Sequence, residues 1–211
     1  MTSSSRPAPS TGTIARGKRI YLAGASGVIG IRLVPLLIAA GYTVGAMTRS
    51  PDKATNLASL GAEPIVCDVF DRARLTQAVH SFSPDLVLHE LTDLPDAVEE
   101  LPKARLLNAR IRVEGTANLL HAMAGLGRPK IVAQSIAWPS EPGPAADAVA
   151  SLEDAVLAAN GVVLRYGAFY GPGTYYESEM PSAPRVHIDT AAARTLESLD
   201  APSGILTIVD G

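Results

Sequence analysis

Three glycines, Gly24, Gly27 and Gly30, stand at a G-x-x-G-x-x-G spacing between a short apolar run, Ile20 to Ala23, and the helical apolar pattern of Leu33, Val34, Leu37 and Ile38. The order is strand, tight turn, helix, the setting in which such a triplet can hold a phosphate. Glycine supplies the positive φ of the turn and removes the Cβ that would keep a pyrophosphate off the backbone. The amides at the helix start, with the positive end of the helix dipole, then face the anion. Gly24, Ser26, Gly27, Val28, Ile29 and Gly30 are therefore candidate phosphate-binding residues. The same glycines would also serve a plain strand-to-helix turn in which they only aid packing.

Other groups with usable chemistry stand at the ends of apolar runs. His89, Glu90, Thr92 and Asp93 follow Leu86-Val87-Leu88, Ser135 follows Val132-Ala133, and Tyr166 and Tyr170 follow Val162-Val163-Leu164. A histidine titrates in the range that suits proton transfer, but His89 reads equally as a strand-end residue bonded to backbone. Ser135 likewise suits a structural role at a strand end. Spacings for a metal, a nucleophile elbow or a Walker A lysine are absent. Cys67 is the one cysteine; it excludes an internal disulfide, fits a reducing cytoplasm, and in an apolar strand reads as a buried, inert thiol.

The elements that must position these groups alternate. Strands are expected at residues 20–23, 43–47, 64–67, 85–89, 130–133, 162–165 and 205–209. Helices are expected at 27–40, from Ser50-Pro51 to Gly61, at 71–82, at 103–124, up to Asn160-Gly161, and at 189–199. Pro35 should bend the first helix, and Ser50 should cap the second with Pro51 at its first position. Proline-marked loops are expected at 91–102 and 138–145. Short apolar strands alternating with helices call for a parallel sheet covered on both faces. With a phosphate turn after the first strand, the fold class is α/β: a Rossmann-type, doubly wound, three-layer α/β/α domain of strand order 3-2-1-4-5-6. Residues 1–17, polar and low in complexity, read as a disordered tail, and 18–211 as one domain.

At 211 residues the chain suffices for one α/β core; 47% is hydrophobic and 18% charged. A net charge of −3 shows no broad basic field for nucleic acid, and no apolar run reaches the ~20 residues of a membrane span.

Several stretches resemble one family, the extended short-chain dehydrogenase/reductases of the NAD-dependent epimerase/dehydratase type. They are the turn from Gly24 to Gly30, Asp85-Leu86-Val87-Leu88-His89, the helix from Asn108 through Gly115-Thr116-Ala117-Asn118-Leu119-Leu120, the segment Leu164 to Gly173, and Val186-His187-Ile188-Asp189. Their order also matches, over most of residues 18–211. The resemblance implies a bound dinucleotide, a small carbonyl or sugar-like substrate, and oxidoreductase or epimerase activity. It adds Asp68 and Val69, and Leu91, as cofactor contacts, although Asp68 could equally cap the helix that follows. It also implies a homodimer through the helix 103–124, whose apolar positions could instead cover the sheet.

Cofactor choice turns on the end of the second strand, where an acid selects NAD through its ribose hydroxyl. Here Met47-Thr48-Arg49-Ser50 holds no acid. A guanidinium pairs well with a 2′-phosphate, so NADP is favoured and NAD is the alternative; as a solvated strand-end charge, Arg49 would choose neither.

The family's proton chemistry uses a Tyr and a Lys four residues later. Aligned on Glu153, those positions hold Ala145 and Val149, and no Lys follows Lys130. Ser135 and Tyr166 remain as candidate catalytic residues. The stretch between Gly173 and Val186 is short for a substrate lid, which points to a short form or a fragment. A non-catalytic dinucleotide sensor or scaffold, or a non-redox isomerase or cyclase, are the alternatives to a reductase.

Overall fold

A computed structural model describes residues 17–95 and 100–211. Residues 1–16 of the expected tail and the middle of the expected 91–102 loop lie outside the described residues.

The strands are β1 (Arg19–Ala23), β2 (Thr43–Thr48), β3 (Glu63–Val66), β4 (Leu86–His89), β5 (Lys130–Ile136), β6 (Val162–Tyr166), β7 (Ala168–Tyr170), β8 (Arg185–His187) and β9 (Gly204–Ile208). Seven of them form a central sheet of order β3-β2-β1-β4-β5-β6-β9, every neighbouring pair parallel. The doubly wound order is the expected one, and the last strand extends it past β6. Because all strands run the same way, all their carboxyl ends share one edge.

The helices are α1 (Gly30–Ala39), α2 (Pro51–Ser59), α3 (Arg72–Phe82), α4 (Leu101–Arg110), α5 (Thr116–Met123), α6 (Pro144–Ala158) and α7 (Ile188–Glu197). The five inner strands of the sheet bury both faces. Ile20, Leu22, Leu88, Val132 and Leu164 join α1 and α7 in one core. Tyr21, Ala23, Val87, Ile131 and Val163 join α3, α5 and α6 in the other. Alternate residues of one strand serve opposite cores, so these strands read as continuous apolar runs rather than alternating ones. Each fully buried leucine contributes roughly 2 kcal/mol relative to exposure.

Several local expectations are corrected. α1 begins at Gly30 rather than Gly27, and as expected it contains Pro35, which lies on its exposed side. Ser50 occupies the cap position of α2, yet its side chain makes no cap bond; its amide donates instead to Thr48 Oγ1 at 3.2 Å. α3 is capped by Asp71, whose Oδ1 accepts from the Arg74 amide at 3.1 Å. Asp68 closes a tighter turn, accepting from the Phe70 amide at 2.9 Å.

The expected 103–124 helix is α4 and α5 joined by a π-helical turn, Ile111–Gly115, with right-handed helical backbone throughout. β5 runs three residues further than expected, because Gln134 and Ser135 find partners at its end. The expected long loop after β6 contains the short strands β7 and β8, which pair in parallel with each other. No described helix is long and apolar enough to cross a membrane.

Candidate functional site

After β1 the chain turns at Gly24, where φ is 93°. A Cβ on Gly24 would lie 2.5 Å from the Glu90 carbonyl oxygen, and one on Gly30 only 2.2 Å from the Gly24 carbonyl oxygen. The chain's own packing therefore demands these two glycines. Gly27 differs: it is exposed, and the nearest atom to an added Cβ is the Gly24 carbonyl oxygen at 3.3 Å. Its outer side faces solvent, where a pyrophosphate would approach the backbone.

The amides of Ile31, Arg32 and Leu33 donate to the Gly27 and Ile29 carbonyls, whereas among the described residues those of Val28, Ile29 and Gly30 have no acceptor. Three free donors thus stand at the positive end of α1, which fits a bound phosphate. Ser26 Oγ lies 2.9 Å from Thr48 Oγ1 and ties the turn to β2.

The adenosine end of such a site would lie over β2 and β3. Arg49 is largely exposed, and its Nη2 donates to Asp93 Oδ1 at 2.8 Å. The Asp93 amide donates in turn to Asn108 Oδ1 at 3.3 Å. Arg49, though exposed, bridges the end of β2 and the loop after β4, and a 2′-phosphate would compete with Asp93 for it. Val69 is buried, and its carbonyl accepts from Asn118 Nδ2 at 3.0 Å. The Leu91 amide donates to His89 Nδ1 at 3.3 Å, and its carbonyl accepts from Gln134 Nε2 at 3.1 Å.

On the α5 and α6 side of the sheet, the polar groups at the strand ends are satisfied internally. His89 is fully buried; accepting at Nδ1 leaves its hydrogen on Nε2, which lies 3.0 Å from Thr116 Oγ1. Burial, with the nearby Arg112 charge, pushes its pKa down to about 4. Ser135 and Arg165 are register partners on β5 and β6, and α6 lays Glu153 across both. Ser135 Oγ donates to Glu153 Oε1 at 2.5 Å, and Arg165 grips both carboxylate oxygens at 2.9 and 2.5 Å. Burial alone would raise the Glu153 pKa; these bonds and the charges of Arg165 and Arg112 bring it below the usual carboxylate value. Ser135 is therefore occupied by Glu153. Ala145 and Val149 lie on α6, half-buried.

On the α7 side stands a second, drier cluster. Tyr166 lies 3.3 Å from Glu90 Oε1 and 2.6 Å from Thr195 Oγ1, and all three residues are buried. Glu90 Oε2 has no partner. Burial pushes Glu90 up to about 8. Burial and the Glu90 charge drive Tyr166 well above its ordinary 10.0.

The segment after β6 is fastened across this edge. Arg32 donates to the Val28 carbonyl at 2.8 Å, to Asp189 Oδ1 at 2.8 Å and to the Pro172 carbonyl. The Tyr175 hydroxyl donates to the Pro95 carbonyl. A separate cleft of about 490 Å³, lined by Lys18, Asp85, Lys130 and Asp200 among others, opens at the amino ends of the strands, away from the glycine turn. Among the described residues no group of His, Cys, Asp and Glu side chains is arranged to hold a metal ion.

Sequence reasoning missed Asp93, Thr195, Arg112 and Arg32 as partners, and used Glu153 merely to set an alignment. The one usable signal was the place of Ser135 and Arg165 at the ends of neighbouring strands.

The chain is similar to known proteins in the same terms. It is 38% identical over 191 residues to a Streptomyces 3-diazoavenalumate denitrifying reductase, a match covering 80% of this chain and 62% of the relative. It is 34% identical over 89 residues to the decarboxylating sterol-4-alpha-carboxylate 3-dehydrogenase of Dictyostelium discoideum, covering 41% of this chain and 26% of that one. The chain thus spans less than two thirds of the curated relatives it matches. In fold it is similar to the UDP-glucose 4-epimerase of Thermus thermophilus in complex with NAD, with a TM-score of 0.76, 21% identity and coverage of 92% of this chain and 78% of that one. The model of the NAD dependent epimerase/dehydratase family matches residues 20–144. The glycine turn, the parallel sheet around it and this match together place the chain in the NAD dependent epimerase/dehydratase family.

Proposed function

We propose that this chain is a nicotinamide-dependent reductase of small molecules that transfers a hydride without a Tyr-Lys proton donor. The observation that carries it is the pairing of three unused amides at the glycine turn with Ala145 and Val149 where a proton relay would stand. When bound, the dinucleotide supplies the hydride. Val28, Ile29 and Gly30 would hold its pyrophosphate, with Gly27 allowing the approach. Arg49 favours NADP over NAD, and Asp68, Val69 and Leu91 would border the adenosine. Ser135 steadies Glu153 and Arg165 at the edge, and Tyr166 serves as the buried partner of Glu90.

The acceptor must then need no proton from the enzyme. The Streptomyces relative is named for a diazo substrate and a denitrifying reduction. Replacing a diazonium group by hydrogen takes up one hydride, forms a C–H bond, and breaks the C–N bond with its electron pair leaving in dinitrogen. No proton is consumed. A diazonium substrate therefore suits this site better than a carbonyl or a sugar, whose reduction needs an acid.

The protein would act in the cytoplasm. The exposed Leu106 and Leu107 of α4 and Val113 of the π-helical turn support a homodimer through that helix.

Mixing the protein with NADPH and a carboxybenzenediazonium salt should oxidise the cofactor and release one dinitrogen per hydride. Saturable NADPH binding with no turnover of diazonium or carbonyl substrates would replace this reading with the sensor or scaffold, which the internal bonding of Ser135, His89 and Tyr166 also suits.

A further inference from the structure

The segment between β6 and β8 walls a groove of about 440 Å³. Its lining includes Trp138, just past β5, and Ala168, just past β6, together with Tyr176, Met180, Pro181 and Pro184. Both strands leave the sheet at the carboxyl edge, where ligands of doubly wound sheets bind. The volume lies within the range of small-molecule pockets.

Its lining sets it apart from the rest of the edge. Trp138 is 41% exposed, Tyr176 38% and Met180 60%. Large apolar side chains gathered around one concave surface mark a binding region rather than scattered exposure. No acidic or basic side chain lines the groove among the described residues. Arg185, the nearest cation in sequence, donates to the Pro181 carbonyl at 3.1 Å and so holds the wall. A sugar nucleotide brings phosphates that are best met by cations, which this lining lacks. A planar aromatic ring needs the opposite: the faces of Trp and Tyr for stacking, a thioether against the ring edge, and flat prolines.

We propose that this groove is the substrate's aryl subsite, so that the reductase acts on an aromatic molecule rather than on a nucleotide sugar. The assignment rests on the reductase reading above and narrows its substrate class. An aromatic ring seated here lies at the sheet edge that also carries the glycine turn, with the segment from Gly171 to Pro184 fixed over it through Arg32 and Tyr175.

Trp138 is the single tryptophan of the chain, so its emission reports groove occupancy directly. Titrating the full chain with cinnamate should shift or quench that emission saturably, and UDP-glucose should leave it unchanged. Met180→Ala, at an exposed position, should weaken cinnamate binding about fivefold, a loss of roughly 1 kcal/mol, and Met180→Leu should restore most of it. A saturable response to UDP-glucose, no response to cinnamate, or a response indifferent to Met180→Ala overturns the aryl subsite. Calorimetry with NADPH on the same protein keeps the two readings apart. NADPH binding without a cinnamate response removes the subsite and spares the reductase; a cinnamate response without NADPH binding does the reverse.

Discussion

The Glu90 carboxyl and the Tyr166 phenol meet at 3.3 Å in the dry layer between the sheet and α7. The phenol donates to Glu90 Oε1, and its oxygen also lies 2.6 Å from Thr195 Oγ1. Glu90 Oε2 has no partner, so a full charge on this carboxyl would go unmatched. Burial favours the neutral form.

Glu90 should therefore make the fold sensitive to base. Its pKa is about 8 when folded against an ordinary 4.5, so the folded chain keeps a proton that the unfolded chain releases. Stability from this group is full below the ordinary value and declines as pH rises toward 8, by on the order of 4 kcal/mol in all. Denaturant titrations of Glu90→Gln, which stays neutral, should lack most of that decline. An unchanged pH slope in the variant would refute the buried acid.

His89 acts in the opposite direction. Its folded pKa of about 4 lies below the ordinary 6.5, so stability is lost as pH falls through that interval, by on the order of 3 kcal/mol. The two contributions balance near about pH 5.5, where the paired effects predict a maximum. His89→Gln should flatten the acid side of the curve; if it does not, the histidine is not the sensor.

Two glycines of one turn should fail differently. Gly27→Ala meets its nearest atom at 3.3 Å and should fold with little loss, while dinucleotide affinity falls about tenfold or more. Gly30→Ala drives a Cβ to 2.2 Å from the Gly24 carbonyl and should cost about 3 kcal/mol of stability. Melting and calorimetry on both variants check the contrast. Equal cofactor affinity in wild type and Gly27→Ala would show that no phosphate approaches there.

Arg49 should discriminate between cofactors. Arg49→Ala should weaken NADPH about tenfold and leave NADH within about twofold. Asp93→Asn, which removes the competing carboxylate, should strengthen NADPH. Equal NADPH affinity in wild type and Arg49→Ala would end the 2′-phosphate proposal.

Ser135→Ala tests a hydroxyl between two roles. As the donor to Glu153 it should lower stability by about 1 kcal/mol and reduce kcat less than about tenfold. A kcat loss of about a hundredfold at unchanged stability would instead place Ser135 on the substrate.

How much of this could be read beforehand depended on the range of the interactions. The glycine turn was legible because its demands are local: a strand, a backbone reversal and a helix within about a dozen residues. The strand order followed because buried parallel strands write themselves as apolar runs. β7 and β8 did not, since three residues are too few to show a period. Asp68 and Asp71 are three positions apart and both suit a cap; only the backbone geometry separates them. Glu90 and Tyr166, and Arg49 and Asp93, pair across long stretches of sequence, and Glu153 and Arg165 pair between a helix and the following strand; no spacing rule connects any of them. A glutamate at a strand end reads as exposed, and only the packing of α7 shows that Glu90 is not.

Arg32 gives the final consequence. One planar guanidinium reaches the turn at Val28, the first turn of α7 at Asp189 and the loop at Pro172. A lysine, as a single point donor, could not serve three such directions at once. The loop over the groove is thereby indexed to the helix that would receive the phosphates, and neither can be displaced without straining the other.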